Sequence, residues 1–461
     1  MLFDPSNTDT IAAISTPLGA AGIGIVRISG PAARSISEKI FTPKKPVTSL
    51  KSHRLYFGRL IDPETGEALD EVLLSFMAAP SSYTREDVVE INAHSGYLLL
   101  ARILETVLKE GARLAEPGEF TFRAFLRGRI DLSQAEAMMD LIHARSETGL
   151  RLAVNHLKGS FSVEVETLRN KALDILARIE AMIDYPEEGL EALPAADEIE
   201  RDLLHPLQGL IAAHDSGKIW IQGVNTVIVG RVNAGKSSLL NRLLKEERAL
   251  VSAIPGTTRD VIESTVYVQG LPLRLMDTAG FRQGKGLLEN KGMAQTRKKM
   301  EEAEMILLVL DQSRPLDKVD MDLLERTRKR KTLAILNKID LPSRIGRRNL
   351  EQAVAGIPLV RISALRGDGV DELRRAILNL VLSGNEGLQD LSLAPNVRQK
   401  QALEKACHAF SEASKNLQAG MPLEIIAEDM REALAALGEI SGETSAEDVL
   451  DRIFSRFCLG K

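Results

Sequence analysis

The chain has 461 residues, and at about 150 residues per domain that length predicts roughly three domains and excludes a single small module. Hydrophobic residues make up 44% and charged residues 27%, which supplies several packed cores and is too balanced for a disordered tail protein. The 59 Lys and Arg against 64 Asp and Glu leave a net charge of -5, so a nucleic-acid partner must meet a local patch and histone-like binding is excluded.

From Thr10 to about Arg123, β-like runs (IAAIS, GIGIVRIS, VVEINA) alternate with Gly and Pro punctuation and one helical pattern, LLLARILETVLKEG. This predicts an α+β module over 1–123. Over 124–218 the apolar period becomes helical, in LSQAEAMMDLIHARSE and VEVETLRNKALDILARIEAMID, with Pro186 and Pro206 read as breakers. That is the first part of a helical domain. Over 219–384, strand-length runs (TVIVG, LRLMD, MILLVLD, LAILN, LVRIS) alternate with helical patterns, the form of an α/β domain with a mostly parallel sheet. Three helical patterns beginning near Val397, Leu423 and Ser445 fill 385–461. The α/β domain therefore reads as an insertion into a helical domain whose two parts fold together.

Two cysteines, Cys407 and Cys458, are too few for a disulfide framework or a thiolate metal cluster and point to a reducing compartment. The opening MLFDPSNTDT carries an acid and a proline where a signal peptide needs basic residues and then an apolar run, and MILLVL at 305–310 is too short to span a bilayer. A soluble cytoplasmic protein with no membrane span is expected. Basic runs at 297–299, 326–331 and 344–348 read as solvated helix faces.

Gly230-Arg231-Val232-Asn233-Ala234-Gly235-Lys236-Ser237 follows a strand-like run and precedes the helical SLLNRLL, the context in which GxxxxGK[ST] cradles phosphates. Its glycines let backbone N–H groups approach the phosphates of a nucleotide, Lys236 reaches the β and γ oxygens, and Ser237 can ligate Mg²⁺. Ser238 belongs to the same turn. Asn337-Lys338-Ile339-Asp340 follows the strand LAILN. The Asp340 carboxylate can accept the two neighbouring donors of guanine, N1–H and the 2-amino group, whereas adenine would face it with a lone pair, so GTP is favoured. After LVRI, Ser363-Ala364-Leu365 offers a backbone N–H for the guanine oxygen. Asp277-Thr278-Ala279-Gly280 ends a strand; Asp277 would support Mg²⁺ and the Gly280 N–H would approach the γ-phosphate. Between them lies Gly256-Thr257-Thr258-Arg259-Asp260, whose Thr258 would place a second hydroxyl near Mg²⁺.

These assignments resemble the TRAFAC class of GTPases. Ras-like enzymes position the attacking water with a Gln just after the DTAG motif, yet here that place holds Phe281. A phenyl ring cannot orient water, so another polar group and extra positive charge must do so if hydrolysis is fast. Glu289 is the nearest carboxylate in the following segment. Asn233 offers an amide oxygen to a monovalent cation beside the phosphates.

TIAAISTPLGAAGIGIVRISG, SYTREDVVEINAHSG, EPGEFTFRAFLRGRIDLSQAEAMMDLI, GRVNAGKSSLLN, GTTRD, DTAGFR and the terminal FCLGK resemble, in order and over the whole length, the blocks of the MnmE (also TrmE) tRNA-modification GTPases. The resemblance implies a K⁺-activated GTPase whose G domains pair in the transition state. Asn233, Ser252, Ile254 and Thr257 would be K⁺ ligands, the loop through Ala253, Pro255 and Gly256 would wrap the ion, and Glu289 would position the water. It implies an N-terminal domain that dimerises and binds 5-formyl-tetrahydrofolate or another tetrahydrofolate derivative through Arg27, Glu90, Arg129 and Lys461, with Cys458 nearby. It implies a homodimer that joins an FAD-dependent partner (MnmG, also GidA) in a heterotetramer or larger complex, which installs a carboxymethylaminomethyl or aminomethyl group at C5 of the wobble uridine of certain tRNAs. Three positions depart from the family pattern: Val232 stands where Pro is usual, Arg129 where Lys is common, and Arg85 where Gly is common.

Overall fold

The computed structural model describes residues 9–17, 19, 21–144, 146–185, 196–247, 264–276, 298–382 and 393–460. The chain divides into two compact units, one made of Met1–Met139, His156–Leu207 and Gln401–Lys461, the other of Asp140–Asn155 and Gln208–Lys400.

The first unit begins with strands β1 (Ile11–Ile14), β2 (Gly24–Ser29), β3 (Phe41–Pro43), β4 (Arg54–Ile61), β5 (Ala68–Met77), β6 (Val88–Ala93) and β7 (Arg113–Leu114), in the sheet order β3-β4-β5-β6-β2-β1-β7. Neighbours are antiparallel except β1 and β7. Helices α1 (Ala33–Ile40) and α2 (Tyr97–Lys109) bury Ile36, Ile40, Leu100, Ile103 and Val107 at helical spacing. These meet Val26, Ile28, Leu74 and Ile91, which share one face of the sheet. The opposite face leaves Leu55, Phe57 and Leu73 exposed. On that face Arg27 of β2 lies opposite Glu90 of β6.

Helix α3 (Glu119–Leu126) follows, then α4 (Leu132–His143), α5 (Glu147–Leu157) and the long α6 (Ser160–Asp184). Next, α7 (Ala196–Ile199) runs through a π turn (Glu200–Leu204) into α8 (His205–Gln222). The reading of Pro206 as a breaker is corrected here. The His205 N–H reaches back to the Glu200 carbonyl, and this widened turn gives the proline, which lacks an N–H, a place near the start of α8 without ending the helical run. Pro186 lies outside the described residues.

In the second unit, β8 (Val224–Val229) leads to α9 (Lys236–Glu247), β9 (Ser264–Val268), β10 (Leu271–Leu275) and β11 (Met305–Asp311). Then come α10 (Lys318–Thr327), β12 (Thr332–Asn337), α11 (Arg347–Ala353), β13 (Leu359–Arg361) and α12 (Val370–Leu382). The sheet order is β13-β12-β11-β8-β10-β9, parallel throughout except for the edge strand β9. Every residue of β11 is buried, as a central parallel strand covered on both faces requires. Met305, Leu307 and Val309 point into one core and Ile306, Leu308 and Leu310 into the other. Trp220, near the end of α8, joins the first of these cores with Leu152, Val224 and Leu271. Its carbonyl accepts the Ser146 hydroxyl at 2.7 Å, and its buried indole N–H makes no hydrogen bond among the described residues.

Three helices complete the chain: α13 (Val397–Gln418), α14 (Leu423–Ser441) and α15 (Glu447–Phe454). Within the first unit α14 packs along α6, tied at its edge by Arg431 to Glu180 at 2.8 Å. Phe454 of α15 meets Phe122 of α3 edge to face at 5.2 Å between ring centroids. None of the described helices is long and apolar enough to cross a membrane.

Candidate functional site

The phosphate loop forms where β8 ends and α9 begins. Gly230 has φ +148, and a Cβ there would lie 2.3 Å from the Val309 carbonyl oxygen; at Gly235, φ is +100 and a Cβ would lie 2.0 Å from Asn337 Nδ2. Only glycine fits either place. Asn233 also takes a left-handed conformation, φ 63, which a short amide side chain tolerates, and its exposed side chain makes no hydrogen bond among the described residues. Ser237 and Ser238 are likewise exposed on the first turn of α9. Lys236 donates from Nζ to the carbonyls of Gly230 and Arg231, both at 2.7 Å. Burial, with no carboxylate in reach, lowers its pKa, so an anionic phosphate placed beside it would relieve the cost of its charge.

Asn337, buried at the end of β12, joins that loop to the turn after β13. Its Nδ2 donates to the Ala234 carbonyl at 2.9 Å and its Oδ1 accepts the Ala364 N–H at 3.0 Å. Ser363 donates its hydroxyl to Asp340 at 2.6 Å. That hydrogen bond, aided by the charges of Arg366 and Lys338 and opposed by desolvation, holds the half-buried Asp340 carboxyl below the usual carboxylate range. Lys338, at φ 66, points the other way and pairs with Asp311 at 2.5 Å. Burial opposes ionisation of Asp311, but Lys338 and Ser313 outweigh it and its pKa falls. The motif residues Asn233 through Ser238, Asn337, Lys338, Asp340, Ser363, Ala364 and Leu365 thus come together at the ends of β8, β12 and β13.

Sequence reasoning missed three supports. Arg231 pairs with Asp317 at 2.7 Å, and Asp317 caps α10 through a reciprocal box with Asp320. Arg242 on α9 donates from Nε to the Ala364 carbonyl at 3.1 Å and from Nη2 to that of Leu365. Asp311, at the end of β11, is the third. The D-x-x-D spacing of 317–320 was the one available signal.

In the first unit, Arg27 pairs with Glu90 at 2.8 Å and donates from Nη1 to the Gly460 carbonyl at 3.0 Å. Ser15 donates to the same carbonyl at 3.1 Å. Gly460 has φ +87, and a Cβ there would lie 2.5 Å from the Ile14 carbonyl oxygen. Arg27 and Arg129 both stack on Tyr83, at 5.7 and 4.9 Å from its ring centroid. The Tyr83 hydroxyl, bonded to Thr121 at 2.9 Å, has its pKa raised by burial. Beside it opens a cleft of about 510 Å³ lined by His53, Ser81, Ser82, Tyr83, Arg85 and Arg129. Arg27 therefore joins Glu90 and the Gly460 carbonyl, and shares the Tyr83 ring with Arg129. Cys458 is exposed and Cys407 partly buried.

Arg85 has φ 57, which explains why glycine suits that position; here the arginine is held by a 2.8 Å hydrogen bond from Nη1 to the Arg127 carbonyl. Behind the cleft wall, Arg123 is buried against Glu86, Glu119 and Asp9 at 3.3, 2.9 and 2.6 Å.

Ser252, Ala253, Ile254, Pro255, Gly256, Thr257, Thr258, Asp277, Thr278, Ala279, Gly280, Phe281, Glu289 and Lys461 lie outside the described residues.

A family model for the GTP-binding protein TrmE N-terminus matches residues 10–129, and one for the MnmE helical domain matches residues 132–458. The tRNA modification GTPase MnmE of Thermoanaerobacter sp. (strain X514) is 45% identical over 457 residues, covering 98% of this chain and 99% of its own. That of Alkaliphilus oremlandii (strain OhILAs) is 44% identical over 461 residues, with the same coverage of 98% and 99%. Among solved structures, the G domain of the T. maritima FeoB iron transporter matches at 24% identity and a TM-score of 0.25, covering 34% of this chain and 98% of that one. With family models matching residues 10–129 and 132–458 and relatives about 45% identical over 98% of its length, the chain belongs to the MnmE family of tRNA modification GTPases.

Proposed function

We propose that this GTPase couples GTP hydrolysis to one-carbon transfer at C5 of the wobble uridine of certain tRNAs, as a homodimer working with an FAD-dependent partner of the MnmG type. The observation that carries the reading is the placing of Arg27 and Arg129 over the Tyr83 ring, with Glu90 and the Gly460 carbonyl both bonded to Arg27. Two arginines over one aromatic ring beside an open cleft suit a flat pterin-like ring bearing a carboxylate tail, so these residues with Lys461 would hold a tetrahydrofolate derivative. Such a group supplies the one-carbon unit.

At the other site, Ser237 and Thr258 would hold Mg²⁺, and the exposed amide of Asn233, with Ser252, Ile254 and Thr257, would hold K⁺. Such cations would offset charge that develops on the phosphates. Glu289 would orient the water in place of the missing glutamine. Cytoplasmic location follows from tRNA as substrate.

GTP turnover in KCl against NaCl, followed by nucleoside analysis of tRNA from a strain lacking this chain, tests the reading. Faster turnover in KCl and an unmodified wobble uridine support it. Turnover indifferent to the alkali ion removes the K⁺ site, and normal tRNA with ribosome-subunit defects points instead to an assembly GTPase.

A further inference from the structure

We propose that Arg242 is a positioning residue for guanine selectivity: it turns the Ser363–Leu365 loop so that the Leu365 N–H faces position 6 of the base. The inference rests on reading Asp340 and this loop as the base pocket.

Nearly every polar backbone group of the loop is spoken for. The Ser363 carbonyl accepts the Gly367 N–H at 2.7 Å, the Arg366 N–H donates to the Ser363 hydroxyl at 3.1 Å, and the Ala364 N–H donates to Asn337. The two carbonyls that remain, those of Ala364 and Leu365, are both taken by the guanidinium of Arg242. Among the described residues, the Leu365 N–H has no partner, and Leu365 as a whole is 76% exposed.

In a planar trans peptide, the carbonyl of one residue and the N–H of the next point in opposite directions. By drawing the Ala364 carbonyl toward α9, Arg242 therefore turns the Leu365 N–H away from that helix. The planar fork suits this task, since its donors can engage two acceptors at once and a lysine offers only a point charge. Arg242 makes no ion pair among the described residues, so its charge is spent on two neutral carbonyls. Guanine presents an oxygen at position 6 and adenine an amino group, so an N–H held there accepts the first and rejects the second. Asp340 reads the N1 and 2-amino edge separately.

The test measures affinities of the full-length wild type, Arg242→Met and Arg242→Lys for GDP, 6-thio-GDP and IDP. 6-Thio-GDP keeps the N1–H and 2-amino group but replaces the position-6 oxygen by sulfur, a poor acceptor. IDP lacks the 2-amino group. The wild type is expected to prefer GDP over 6-thio-GDP by about fivefold, and Arg242→Met to bring that ratio close to one. In the same variant the GDP-to-IDP ratio should hold, because Asp340 is untouched, and Arg242→Lys should recover part of the lost preference. An Arg242→Met protein that keeps the wild-type 6-thio-GDP ratio overturns the inference. So does an equal loss for all three nucleotides, the result of mere structural damage. A wild type that distinguishes none of them overturns the base-pocket reading itself.

Discussion

The side-chain amide of Asn337 reaches the Ala234 carbonyl at 2.9 Å, so one residue of the Asn337–Asp340 motif, proposed to read the base, fastens the glycine-rich loop after β8. Its other end takes the Ala364 N–H, which makes it a strut between both halves of the nucleotide site. Asn337→Ala leaves a buried carbonyl and a buried N–H unpaired, each at a cost of about 1–3 kcal/mol. The expected result is a GDP affinity lowered at least about tenfold together with a lower melting temperature, read by nucleotide displacement and calorimetry. A variant with wild-type affinity would refute the strut.

Gly235→Ala should abolish nucleotide binding. The new Cβ would stand 2.0 Å from Asn337 Nδ2 at a backbone with φ +100, so the loop can relax only by releasing the Asn337 strut and moving the N–H groups that face the phosphates. Titration with a fluorescent GDP analogue should show no saturation at concentrations that saturate the wild type.

Acidification probes Asp340. Because the Ser363 hydroxyl helps hold this carboxyl below its ordinary value, the wild type keeps its charge as pH falls toward about 3.9, the usual aspartate value. Ser363→Ala raises the Asp340 pKa, so guanine affinity should begin to fall at a higher pH than in the wild type. GDP dissociation constants measured from neutral pH downward settle this; superimposable curves would show that Ser363 does not support the charge.

The buried cluster around Arg123 predicts an acid-sensitive N-terminal domain. Burial opposes ionisation of Asp9 and Glu119, yet hydrogen bonds and charge from Arg113 and Arg123 hold both pKa values below the usual carboxylate range. Their contribution is complete above the unfolded carboxylate value of about 4 and is lost as pH falls through the lowered folded values. Arg123→Met leaves Glu86 with Arg127 and Glu119 with Arg113 but removes the buried cation they share, which should cost about 1–3 kcal/mol and move the acid-unfolding midpoint upward. Urea melts and a circular-dichroism pH titration measure the two effects.

The motifs with fixed local spacing were legible in the sequence. Gly230 through Ser238 and Asn337 through Asp340 each follow one strand, and the five mutually parallel strands β8, β10, β11, β12 and β13 announce themselves as short apolar runs. β4 and β5 went unnamed because Leu55, Phe57 and Leu73 are apolar yet exposed, which blurs the two-residue alternation that marks a half-buried strand. β9 was missed as a polar edge strand, and Pro206 misled because a π turn accommodates it. The contacts of Arg27 with Glu90 and Gly460, and of Arg242 with Ala364, join residues 63, 433 and 122 positions apart. No local pattern encodes such distances; the resemblance to a family pointed to Arg27 and Glu90, whereas nothing pointed to Arg242.

Trp220 is the sole tryptophan of the chain, and its ring is shut inside the same core that α9 and the parallel strands share. The protein thus carries an intrinsic optical probe at the foot of its nucleotide-binding module, needing no engineered label. Its emission should stay blue-shifted while that core is intact and move to the red when water enters, so loosening of the module on heating can be followed separately from melting of the N-terminal sheet.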